Sequence, residues 1–63
     1  MTTGDELRRI MEDRGVTIVE LSEESGVARS TISRMLRSGE GMLYSWRAVA
    51  RALGVKVSEL IGE

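Results

Sequence analysis

The stretch Glu20–Leu36, "ELSEESGVARSTISRML", decides the fold. Its first part sets Leu21 among acids and serines, Gly26 interrupts it, and within two residues a new pattern starts in which Ile32, Met35 and Leu36 recur at helical spacing. Two helices so closely joined meet through a tight turn rather than a linker. Stepping about 100° per residue from Arg29 places Met35, Ile32 and Leu36 between roughly 240° and 340°. Arg29, Ser33, Arg37, Ser30 and Arg34 fall between 0° and roughly 140°. One arc packs on the body of the protein, and the other exposes guanidinium and hydroxyl groups, with Thr31 at its margin.

The same punctuation cuts the rest of the chain. "TGDE" at Thr3 to Glu6 fits a capping box, in which a Thr hydroxyl and a Glu three residues later satisfy free backbone N–H groups, so a first helix should start there. Leu7, Ile10 and Met11 form its apolar stripe, and Gly15 ends it. "VTIVEL" repeats the device with Thr17 and Glu20, while Val16 and Leu21 occupy the positions of a hydrophobic staple. This second helix runs to Ser25, and a third covers about residues 28–38, closed by Gly39. After "SGEG", Leu43, Trp46, Val49, Ala50 and Leu53 keep helical spacing and define a fourth helix that ends at Gly54. Ser58 can cap a last short turn holding Leu60 and Ile61. With no strand pattern, repeat, low-complexity segment or proline, the expected fold is all-α, a single domain over residues 1–63.

Sixty-three residues suffice for one domain and not for two, since a domain of this size buries only about 60% of its unfolded surface. There is no Cys and no His, which removes disulfides, thiolate metal sites, the commonest metal ligand and the commonest general base. No catalytic residue, metal site, cofactor or small-molecule ligand is expected. Glu20 and Glu24, two acids at i, i+4 without a third ligand, read as a solvated face. The apolar runs are only a few residues long, and "MTTGDELRRI" lacks the apolar region of a secretory signal, so the expectation is a cytoplasmic protein with no membrane partner.

A net charge of −1 and a pI near 5.4 argue against indiscriminate attraction to polyanions. The distribution differs from the total. Residues 1–28 set Arg8, Arg9 and Arg14 against seven acids, whereas residues 29–56 set Arg29, Arg34, Arg37, Arg47, Arg51 and Lys56 against Glu40 alone. Arg8 and Arg9 have Glu12 and Asp13 four residues on, the distance at which helical ion pairs form. Arg29, Arg34, Arg47 and Arg51 have no acid three or four residues away in either direction.

From about Leu7 to Leu60 the chain resembles the lambda-repressor/Cro-type (Xre-like) helix-turn-helix family, through "ELSEESGVARSTISRML" followed at the usual interval by "WRAVARALGVKVSEL". The resemblance implies a compact bundle of five short helices in which helices 2 and 3 form the helix-turn-helix. It further implies sequence-specific binding of double-stranded DNA, as in a repressor-type transcriptional regulator, or an engineered DNA binder on that scaffold. A major groove about 12 Å wide admits one helix with its N-terminal side chains at base edges. Arg29, Ser30 and Arg34 are then the candidates for base readout, because an arginine fork can donate two hydrogen bonds to guanine O6 and N7. Thr31, Ser33 and Arg37 are expected on phosphates, and the family's grips at the starts of helices two and four carry over to Thr17, Tyr44 and Ser45.

The chain also departs from the family. Ile18 stands where Gln is common and, with Val19, is expected outside the core; Ala28 stands where Ser or Thr usually caps the recognition helix. "GEGMLYSW" lacks the proline and basic residues often found there. Trp46, with apolar Leu43, Val49 and Ala50 around it, reads as core, as do Met11 and Met35; Met42 is open. The alternative function is a protein-binding module, antitoxin-like or regulator-docking, using the acidic first half or Ile18 and Val19. Beyond Val55 only "KVSELIGE" remains, so the expected state is a monomer or a weak, DNA-assisted dimer.

Overall fold

A computed structural model of the protein describes residues 3–61. Its elements are α1 (Thr3–Arg14), α2 (Ile18–Ser25), α3 (Arg29–Ser38), α4 (Leu43–Leu53) and α5 (Val57–Ile61), and no strand occurs among the described residues. None of these helices is long and apolar enough to cross a membrane.

The helices end where the glycines stand, after Arg14, Ser25, Ser38 and Leu53. Two starts differ from the sequence expectation. Thr3 is already helical, so it does not cap α1 from outside, and Glu6 places its carboxylate on Arg9 Nη2 at 2.9 Å. The position ahead of Thr3 lies outside the described residues. Ser58 likewise sits inside α5. The start of that helix is tied instead by Lys56, whose N–H donates to Glu59 Oε2 at 2.8 Å while its carbonyl accepts from the Glu59 N–H. The capping box of α2 forms as read, with the Glu20 N–H on Thr17 Oγ1 and the Thr17 N–H on Glu20 Oε1.

Packing closes into a ring: α1 lies on α3, α3 on α2, α2 on α4, α4 on α5, and α5 back on α1. Each helix sends at least one side chain to the centre, where Leu7, Leu21, Ile32, Met35, Val49 and Leu60 are fully buried. Burying a side chain of this size contributes about 1.5–3 kcal/mol, so closure of the ring, rather than any single helix, supplies the stability. Trp46 and Met11 join this core as expected. Leu43 does not: it is exposed, and Ser45 takes a buried place in the first turn of α4. Spacing put Leu43 on the stripe, but the first turn of α4 is covered on the side of Ser45 and Trp46 and leaves Leu43 exposed. Ile18, expected outside, packs partly buried against the core.

One polar contact ties α1 to α4 across the ring. Arg14 Nη1 donates to the Leu53 carbonyl at 2.7 Å, giving a cationic partner to the free C-terminal end of α4. Arg9 bridges Glu6 and Asp13 on the outside of α1, whereas Arg8 and Glu12 form no ion pair despite their spacing. Exposed pairs of this kind contribute little.

Among the described glycines the tightest surroundings are at Gly4, buried in the first turn of α1. A methyl group built there would lie 2.5 Å from the Leu36 carbonyl oxygen and 2.7 Å from that of Met35, both backbone atoms at the end of α3. Gly4→Ala should therefore destabilise the protein by about 1–3 kcal/mol through overpacking, outweighing the roughly 1 kcal/mol by which Ala is the better helix former. Urea unfolding midpoints of the two proteins check the sign.

Candidate nucleic-acid interface

The turn between α2 and α3 is held by two serines. Ser22 Oγ donates to the Val27 carbonyl at 2.7 Å, and the Val27 N–H donates to Ser25 Oγ at 3.1 Å. Gly26, between Ser25 and Val27, takes φ 77°, the left-handed conformation that costs a side chain strain, and its N–H returns to the Ser22 carbonyl at 2.9 Å. Val27 is then turned into the core, which anchors the entry to α3. These serines were missed as functional residues in the sequence. Their signal was the habit of Ser of bonding nearby backbone where a helix ends.

On α3, Ile32, Met35 and Leu36 are buried against α1 and α2, and the opposite arc is open. Arg29, Ser30, Arg34 and Arg37 are exposed, while Thr31 and Ser33 are half-buried at the margins. Arg29, Arg34 and Arg37 form no ion pair with any described residue. The start of the helix carries Ala28 in the cap position, with φ −60°, ψ 145° and no side-chain hydrogen bond, and its first turn has no acid. Free N–H groups and unpaired guanidinium groups therefore combine on one surface. Such a surface attracts anions, and its arginines are not neutralised by the protein.

The remaining sites fare differently. Thr17 is exposed at the start of α2, but its hydroxyl lies 3.2 Å from Glu20 Oε1 and also accepts the Glu20 N–H, so it is engaged within the capping box. Tyr44 is exposed at the start of α4. Ser45 is not: at 2% exposure its side chain faces the body, and it leaves the set of surface phosphate contacts. In the first turn of α4, Ser45 is buried while Leu43 and Tyr44 are exposed. Of the pair Ile18 and Val19, only Val19 is exposed. Arg47 and Arg51, one turn apart on α4, are exposed and also form no ion pair with any described residue.

Comparison with known proteins gives a family match over nearly the whole chain: residues 3–60 fit the model described as "Helix-turn-helix domain". The chain is also similar to the immunity repressor protein of Bacillus phage phi105, with 36% identity over 64 aligned positions that cover 100% of this chain and 44% of the phage protein. The chain thus spans less than half the length of that curated relative. No solved structure matches.

The bare cap of α3 has a measurable consequence. Ala28→Ser places an acceptor in backbone geometry suited to a cap, and should stabilise the fold by about 0.5–2 kcal/mol. The check is a thermal unfolding midpoint that rises by several degrees.

Proposed function

The chain belongs to the helix-turn-helix domain family, of the lambda-repressor/Cro (Xre-like) type, and on that premise we propose that it binds double-stranded DNA in a sequence-specific way, as a repressor-type transcriptional regulator. The observation that carries the reading is the outer arc of α3: exposed, free of acid, with unpaired arginines and an uncapped first turn, behind a turn held by backbone bonds to Ser22 and Ser25. The similar phage protein is an immunity repressor, which supports the regulatory part. The protein works in the cytoplasm and acts by binding, not by catalysis.

In this reading α3 enters the major groove. Arg29, Ser30 and Arg34 face base edges, with the arginine forks suited to guanine O6 and N7. Arg37 reaches phosphate, with Thr31 and Ser33 at the margins of the helix and Tyr44 at the start of α4 as flanking contacts. Thr17 joins them only by releasing Glu20.

Selection of bound duplexes from a random DNA pool tests the proposal directly. A defined preferred sequence is expected, and uniform weak retention of every sequence would defeat it. On the selected site, Arg29→Ala and Arg34→Ala should each lose roughly 1–3 kcal/mol of discrimination against random DNA. Equal weakening on both DNAs would assign the residue to phosphate.

The protein is a monomer in free solution at micromolar concentration and pairs at most with help from DNA. Support comes from α5, where Leu60 is buried and Val57 and Ile61 pack on the core, leaving little apolar surface there for a second copy. Sedimentation of the free protein should give one species of monomer mass, and a stable dimer at low micromolar concentration would contradict this.

A further inference from the structure

Of the arginines on α1, Arg9 is bound to Glu6 and Asp13, and Arg14 to the Leu53 carbonyl. Arg8 differs from both: it is exposed and forms no ion pair with any described residue. Glu12, four residues on, stands at the spacing for such a pair and does not make it. Arg8 lines a cleft of about 210 Å³ that it shares with Thr17 and Ile18 at the start of α2 and with Leu36 in the last turn of α3. Glu12 borders the same cleft.

The cleft brings Arg8 beside two places assigned to the DNA backbone under the proposed function, Thr17 and the end of α3, where the exposed Arg37 follows Leu36. Gly4 fixes the same neighbourhood independently, since it lies one turn before Arg8 on α1 and against the Met35 and Leu36 carbonyls of α3. Thr17 is engaged by Glu20, whereas the Arg8 guanidinium has its donors free of any carboxylate among the described residues. The cleft is smaller than the roughly 300–1,000 Å³ of small-molecule sites, and apolar walls of this kind support an arginine stem while its charged head stays in water. On the DNA-binding reading, on which the assignment rests, we infer that Arg8 contacts a backbone phosphate of the duplex that α3 enters, a grip supplied by α1 from outside the helix-turn-helix unit.

A phosphate contact positions the protein and carries no sequence information. Arg8 and Arg37, from two helices that touch at Gly4, hold the end of α3 to the backbone, while the base contacts lie further toward its start. Exposure and the nearby Glu12 carboxylate keep the contribution of Arg8 modest.

The test compares Arg8→Gln with Arg9→Gln. Both residues are exposed neighbours on α1 and lose the same charge, but Arg9 is already held by two acids on the outside of the helix. Affinities of the wild type and both variants are measured as a function of salt, on the selected duplex and on random duplex. Arg8→Gln should weaken both by roughly fivefold and flatten the log–log salt slope by about 1. Arg8→Lys should keep the slope, and Arg9→Gln should leave it unchanged. An unchanged slope in Arg8→Gln, equal effects of Arg8→Gln and Arg9→Gln, or a loss confined to the selected duplex would each overturn the inference while the DNA-binding reading stood. A wild type that binds neither duplex would overturn the reading and the inference together.

Discussion

The architecture turns on the absence of a side chain at Gly4. Because the first turn of α1 lies directly against the Met35 and Leu36 carbonyls in the last turn of α3, the two helices meet at backbone contact, and Leu7, Ile10 and Met11 share one core with Met35 and Leu36. A larger residue at this crossing would wedge the ring open where the first and third helices meet. The other end of α3 is fixed by different means, the hydrogen bonds of Ser22 and Ser25 to the backbone of Val27. A ten-residue helix held at both ends by backbone contacts has little freedom to tilt. The outer arc of α3 is accordingly fixed to the body of the protein near both its ends, which suits reading a groove by hydrogen-bond geometry.

Charge follows the same division. The acids of α1 and α2 are partly used within the fold, Glu6 and Asp13 on Arg9 and Glu20 in the cap of α2, whereas the arginines of α3 and α4 form no ion pair with any described residue. A chain of net charge −1 can therefore present a locally cationic surface. A low total charge limits long-range attraction to polyanions and leaves short-range contacts to carry recognition.

Much of the fold was legible in the chain. The ends of four helices, the Thr17–Glu20 box, the bare cap at Ala28 and the buried face of α3 all stand where the residues indicated. In the candidate site, Arg29, Ser30, Arg34 and Arg37 are exposed together on one arc with Thr31 half-buried at its margin, as the helical wheel required, while the half-buried Ser33 shows where the wheel was too coarse and Ser45, carried over from the family resemblance, is buried. A wheel gives direction from a helix axis, not what lies in that direction. Leu43 points along the apolar stripe and meets water, and Ile18 was read as surface and meets the core.

By itself, then, the sequence determined the helices, their boundaries to within a residue or so, and the one-sided chemistry of α3. Each of these depends on interactions between residues no more than about four apart, whose geometry is the same in every helix. Only the tertiary structure decided which outward directions are covered and which backbones touch. Gly4 read as part of a cap until Leu36 lay against it, and Arg14 read as one charge among several until its guanidinium met the Leu53 carbonyl, 39 residues on. Such contacts follow from closure of the helix ring, which brings together groups far apart in the chain, and no local pattern encodes them.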